Sequence, residues 1–327
     1  MGQYAELKSL RSIMWPSGHF FAYFGSGVPI YGVCELKADQ SPGDATPHDD
    51  RDRALNRRFG TDSPHLDLAS GAPLFHRQLA TRGSVRSFTP EPVPFDTLRR
   101  LCALALCAPT KSDLQQRDIV IVDDTQLRQQ IVSLLTNGPL GQAWLNDAPA
   151  LLVFCGNNRR QRLWHSWRGK SFANDHLDAF FNAAVDAAIA LSAFVLAAEA
   201  EGLGACPVSA VRNHAAAISA LLELPQHVFP VAGLAVGWPA AEAKQSLRLP
   251  LDVTVHRNTY REDDLRGAIE DYDSRREAAQ PYGQQRYVDV FGTSAAYGWS
   301  EDKARQYAVP ERADFGAYVR ARGFRLD

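Results

Sequence analysis

The chain lacks a dominant charge, a cysteine framework and an apolar run long enough to span a bilayer, and each lack removes a class of function. Its 35 Lys and Arg against 37 Asp and Glu give a formal charge of −2 over 327 residues. A nucleic-acid partner is therefore not expected, and no basic stripe or zinc-finger spacing argues otherwise. Cys34, Cys102, Cys107, Cys155 and Cys206 are odd in number and contain no C-x-x-C pair, which fits reduced thiols in a cytoplasmic protein. The longest nearly continuous apolar run, Ala187 to Ala198 broken at Ser192, is about half of the roughly 20 residues a spanning helix needs. It reads as a buried helix, and no membrane partner is expected. Glu6 stands where myristoylation needs Ser or Thr, and glycines with Pro29 break up the only patch, Phe20 to Val33, that resembles a signal core. Hydrolase signatures are missing too: there is no H-E-x-x-H and no G-x-S-x-G. Gly202-x-Gly204 is no dinucleotide fingerprint, since Pro207 replaces the third glycine and no strand is expected before it.

What is present is organised around Arg82-Gly83-Ser84-Val85-Arg86-Ser87-Phe88. Two guanidinium groups with a hydroxyl between them form a compact donor set for phosphate oxygens. Residues 1–50 read as a leader or a surface arm, and the helix Pro73 to Leu79 delivers the chain to Arg82. Asp96 is expected to cap a helix that buries Leu98, Leu101, Leu104 and Ala105. A polar loop, Thr110 to Gln115, follows, then the strand Ile119 to Val122, a helix from about Thr125 to Leu135 and the strand Ala150 to Cys155. Asn157 to Asn174 reads as an irregular insertion whose Trp164-His165-Ser166-Trp167-Arg168 could stack on a planar substrate. Phe181 to Glu201 is apolar around nearly its whole circumference, as at a subunit interface. Gly202 stops it. Gly204 to Asn213 is expected as a small-residue loop that a flat ring can approach, with Asn213 capping the next helix. A last strand spans Val228 to Val236.

The ordered stretches Arg82 to Phe88, Ala108-Pro109-Thr110-Lys111-Ser112-Asp113-Leu114-Gln115, Gly202 to Asn213, Gly237-Trp238-Pro239, Arg248-Leu249-Pro250 and His256 resemble the FMN-dependent nitroreductase family. The likeness covers residues 75–327 and is nearest to the NADPH-preferring, oxygen-insensitive nitroreductase and flavin reductase branch. It implies an α+β fold, with a central mixed β-sheet flanked by helices, in an intertwined homodimer with two FMN sites at its interface. Residues 51–327 would form one FMN-binding domain with a C-terminal extension over 262–327. The implied activity is ping-pong transfer from NADPH or NADH through flavin to nitroaromatics, quinones or free flavin. Alternatives on the same scaffold are a flavin-degrading or dehalogenating enzyme, or a non-enzymatic flavin-binding protein.

Carried over by motif, Arg82, Ser84 and Arg248 would hold the phosphate, with Gly83 and Ser246 beside them. Arg86 would face the pyrimidine edge of the ring as an electrostatic stabiliser, with no further catalytic side chain and no metal. Thr110, Lys111, Ser112, Gln115 and Gln142 would hold the ribityl chain or ring edge. Pro207, Val208, Ser209 and Ala210 would lie along the ring. The chain departs from the family pattern at Gly83 and Ser246, where relatives carry cations, at Asp113, where Asn is frequent, and at Ser209-Ala210, which replaces a glycine pair.

Overall fold

The structure, a computed structural model, describes residues 47–59, 73–137 and 142–327. The arm expected before residue 47 lies outside the described residues. The elements run α1 (Pro47–Phe59), α2 (Pro73–Thr81), α3 (Phe95–Leu106), β1 (Arg117–Ile121), α4 (Thr125–Thr136), β2 (Ala150–Asn157), α5 (Arg159–Trp167), α6 (Leu177–Ala200), β3 (Gly204–Val208), α7 (Ala215–Leu221), β4 (Val228–Gly237), α8 (Leu251–Thr254), α9 (Leu265–Ala279), α10 (Val288–Phe291), α11 (Trp299–Ala308) and α12 (Phe315–Ala321). Helix α1 spans the expected 50/51 boundary.

The class is α+β, as the resemblance implies. Among the described residues the sheet has order β1-β2-β4-β3 and every pairing in it is antiparallel. The expected mixed sheet is thus corrected to an antiparallel one within this chain. Side chains alternate across the pleat. Leu152 and Phe154 of β2 with Leu234 and Val236 of β4 pack under α3 and α6, while Leu151, Val153 and Ala235 pack on the other face with Ile131 and Ile218 of α4 and α7. A sheet buried on both faces needs apolar residues at every position, which is why β2 and β4 read as continuous apolar runs. Pro230 breaks no ladder, because the register shifts opposite Phe154 and Cys155 and leaves it at a bulge.

Several local readings change. Asn157 to Asn174 is not irregular throughout: α5 forms there, tied to the body by ion pairs from Arg160 to Asp118 and from Arg162 to Asp175. The loop expected from Gly204 is instead the edge strand β3, followed by a 3-10 turn over Ser209–His214. Pro207 fits because only one side of an edge strand must donate. Asn213 caps nothing; the N-cap of α7 is His214. Asp96 lies in the first turn of α3 but Pro94 is its N-cap, and Leu104 is half exposed.

The 24 residues of α6 are, by length and composition, apolar enough to cross a membrane, a longer stretch than the Ala187 to Ala198 run suggests. One face of it packs on the sheet through Ala187, Ala190, Phe194 and Ala198. The opposite face leaves Leu177, Phe181 and Val185 exposed. Within this apolar helix Asp186 is fully buried. Its two oxygens accept from the Lys111 and Gln116 amides, both at 2.9 Å, so the buried charge is paired with oriented donors rather than left bare. Between those amides the backbone is left-handed at Ser112 (φ 47°), Asp113 (φ 55°) and Gln115 (φ 51°). None is glycine, so the conformation costs energy that the Asp186 grip must offset.

Asp186→Ala is expected to destabilise the fold by about 2–4 kcal/mol, since it strands the Gln116 amide and releases a strained loop. Urea denaturation measures this, and a loss below about 1 kcal/mol would show that water satisfies both amides.

Candidate cofactor-binding site

Residues 82–89 run along β3 and the end of β4. The Val85 amide donates to Ala205 O at 3.2 Å, the Thr89 amide to Trp238 O at 2.8 Å, and the Ala240 amide to Ser87 O at 3.0 Å. Val85 and Phe88 are buried by this pairing and Arg86 is exposed. Gly83 is required for a steric reason. A Cβ there would stand 2.6 Å from the Lys244 carbonyl oxygen and 2.9 Å from the Ala243 Cβ. No basic side chain can occupy that position, so the site must draw its cations from elsewhere.

They come from three elements. Arg82 makes a bidentate pair with Glu199 at the end of α6, with contacts of 2.9–3.2 Å. Arg248 and Arg82 line one cavity of about 310 Å³ together with Arg58 of α1, His76 and Leu79. Burial, followed by the nearby charges of Arg248 and Arg82, pushes the Arg58 guanidinium down to about 10, and it stays cationic at neutral pH. Three guanidinium groups line this cavity, among the described residues only Arg82 of them is paired with a carboxylate, that of Glu199, and the buried Nδ1 of His76 has no hydrogen-bond partner. Such a donor set is one that an anion would complete.

A second cluster lies one strand position further on. The Cys206 thiol donates to Pro207 O, and burial raises its pKa although Arg86, Ser84 and Arg82 pull it down. The Arg86 guanidinium sits 6.0 Å from the centre of the Trp144 ring, and Trp144 Nε1 donates to Gln142 Oε1 at 3.0 Å. Arg86 and Gln142 are therefore linked through Trp144. Pro207 and Ser209 are exposed, Ala210 is half-buried, and Val208 is buried in the core. Ser246 is exposed and contributes its carbonyl, which receives Nη1 of Arg58 and of Arg248.

Thr110, Lys111, Ser112 and Gln115 stand apart from these groups. Their loop hangs from Asp186, and Arg82 hangs from Glu199. Thirteen helical residues separate the two anchors, about 20 Å at 1.5 Å per residue. Within one chain the two groups are thus held at different points along α6, one near its middle and one at its end. The sequence pattern does not single out Arg58, Trp144, Asp186 or Glu199. Asp186 alone left a signal, an acid isolated in an apolar helix.

Comparison with known proteins settles the family. The Nitroreductase family profile matches residues 79–238, and that of its C-terminal domain matches residues 246–327. An FMN reductase [NAD(P)H] of Bacillus subtilis is 34% identical over 61% of this chain and 80% of its own length. The chain belongs to the nitroreductase family. An oxygen-insensitive NADPH nitroreductase of Salmonella typhimurium is 32% identical over 61% of this chain and 75% of its own. The solved structure of NfrA2 from B. megaterium superposes with a TM-score of 0.69 at 29% identity, covering 77% of this chain and 98% of that one. The profiles begin after α1, so Arg58 lies outside the segment by which the nitroreductase fold is matched.

Within this nitroreductase, Gly83→Ala is expected to cost about 1–3 kcal/mol, because the contact is with backbone and cannot be relieved by a rotamer change. Unchanged thermal stability of the variant would show that residues 243–244 can yield.

Proposed function

We propose that the chain is an FMN-dependent NAD(P)H oxidoreductase that reduces small electron-poor acceptors such as nitroaromatics, quinones or free flavin. The observation that carries this reading is the cavity lined by Arg58, Arg82 and Arg248, of which Arg82 is paired with Glu199, beside an orphaned His76 nitrogen. The surplus of about two positive charges suits a phosphate monoester, which carries close to −2 at neutral pH. FMN, when bound, accepts a hydride from the nicotinamide and passes reducing equivalents to the second substrate.

The chain's own residues bind and orient. Arg82, with Glu199 holding its plane, Arg248 and the Ser84 hydroxyl take the phosphate. Gln142, braced by Trp144, and the stretch Pro207 to Ala210, exposed at Pro207 and Ser209, take the ring edge. Arg86, exposed and steadied by Trp144, supplies positive charge where negative charge grows on the pyrimidine side of the ring, a preorganised electrostatic role. No acid–base dyad is needed for such transfer.

Thr110, Lys111, Ser112 and Gln115 would complete the site from a second copy, because their own chain holds them about 20 Å along α6 from the phosphate groups. The exposed Phe181 and Val185 on α6 give that copy an apolar surface to cover. A cytoplasmic setting is supported by Cys102, Cys107, Cys155 and Cys206, all unpaired. We take the segment from α1 onward as one domain, with residues 262–327 as its extension.

Purified protein is expected to be yellow and dimeric, with about one FMN per chain if two symmetric sites form across the interface. A colourless monomer that ignores added FMN would overturn this. Arg86→Ala should slow flavin reduction by NAD(P)H more than it weakens FMN binding. Arg82→Ala should do the reverse, lowering affinity by roughly 1.5–3 kcal/mol. Stopped-flow reduction and fluorescence titration separate the two, and equal effects would refute the division of roles.

A further inference from the structure

We propose that Arg58, on a helix upstream of the matched nitroreductase segment, is a positioning residue that assembles the phosphate pocket from two separate strands of chain. The proposal rests on the reading of Arg82 and Arg248 as the phosphate-facing groups. Arg58 is 5% exposed, and its planar fork is spread over three carbonyls. Nε donates to Ala80 O at 2.5 Å, Nη2 to Arg82 O, and Nη1 to Ser246 O at 3.5 Å.

The first two of those carbonyls lie at the C-terminal end of α2 and just beyond it, where the helix leaves acceptors unfilled and its dipole favours a cation. The third belongs to the segment that carries Arg248. A return bond closes the clip, as the Arg248 amide donates to Arg58 O at 2.8 Å. Arg58 therefore fixes the segment bearing Arg82 against the segment bearing Arg248, which are more than 160 residues apart in sequence. It does so while adding a third positive charge to the cavity. The mutual repulsion of these cations, which adds to burial in lowering the pKa of Arg58, is relieved when a dianion enters. A lysine could restore the charge but could not span three carbonyls with one ammonium.

The test compares FMN with riboflavin, which lacks the phosphate, on flavin-stripped full-length protein by fluorescence titration. Wild type is expected to prefer FMN. Arg58→Gln should reduce that preference about tenfold, comparable to the loss of one charge-assisted contact, with riboflavin affinity unchanged. Arg58→Lys should fall between the two. An unchanged preference in Arg58→Gln, or equal weakening of both flavins, overturns the proposal. If Arg58→Gln fails to fold, Arg58→Lys decides, and a wild-type preference in that variant overturns it. A wild-type protein that does not distinguish FMN from riboflavin would instead sink the phosphate reading of Arg82 and Arg248, and this inference with it.

Discussion

The packing of α6 across the sheet is the contact on which the rest of the molecule depends. Its inward face is built mainly of alanines, with Phe194 meeting Phe154 edge-on at 5.8 Å. Small side chains let a helix lie close to a pleated surface, and burying that face is favourable by area. Because the helix cannot move without opening this core, anything bonded to it inherits a fixed position. Asp186 and Glu199 use that rigidity. One holds backbone amides of the loop 111–116, the other holds the guanidinium of Arg82.

The same rigidity explains why the site is divided. A rod with one anchor near its middle and another near its end keeps two loops about 20 Å apart. In the proposed dimer, a second α6 and the loop it carries complete the site. The exposed apolar residues of α6 provide the surface for such pairing. Electrostatics then sort the functions within one half-site. Cations gather around the cavity behind Arg82, while Arg86 projects alone toward Trp144 and Gln142.

Charge is arranged economically in this half-site. Glu199 neutralises one guanidinium and thereby orients it, since a bidentate pair fixes a plane as well as a distance. Gly83 is barred from carrying a cation by the Lys244 carbonyl. The missing positive charge is recovered by Arg58, whose helix approaches from a part of the chain that the nitroreductase profile does not reach. The C-terminal extension contributes through packing. Val319 and Phe324 pack with Phe229 of β4 and Ala183 of α6.

By itself the sequence determined the family and the helix–strand alternation, and it singled out the arginine motif proposed to bind an anion. Those features are local: a periodicity of apolar residues, or donors within four positions of one another, survives without any knowledge of neighbours. β2, β4, α4 and α6 are legible for that reason, as is Arg82-Gly83-Ser84-Val85-Arg86. The tertiary structure alone decided which groups meet. Arg58 and Ser246 are remote in sequence, and an arginine in a polar helix looks like any solvated charge until burial and three carbonyls define it. The strand at Gly204–Val208 was hidden because Pro207 argues against a strand unless that strand lies at an edge, and edge position is a property of the sheet. The separation of Thr110–Gln115 from Arg82 was equally hidden, since a motif records which residues serve a site but carries no information on the length of helix that holds them apart.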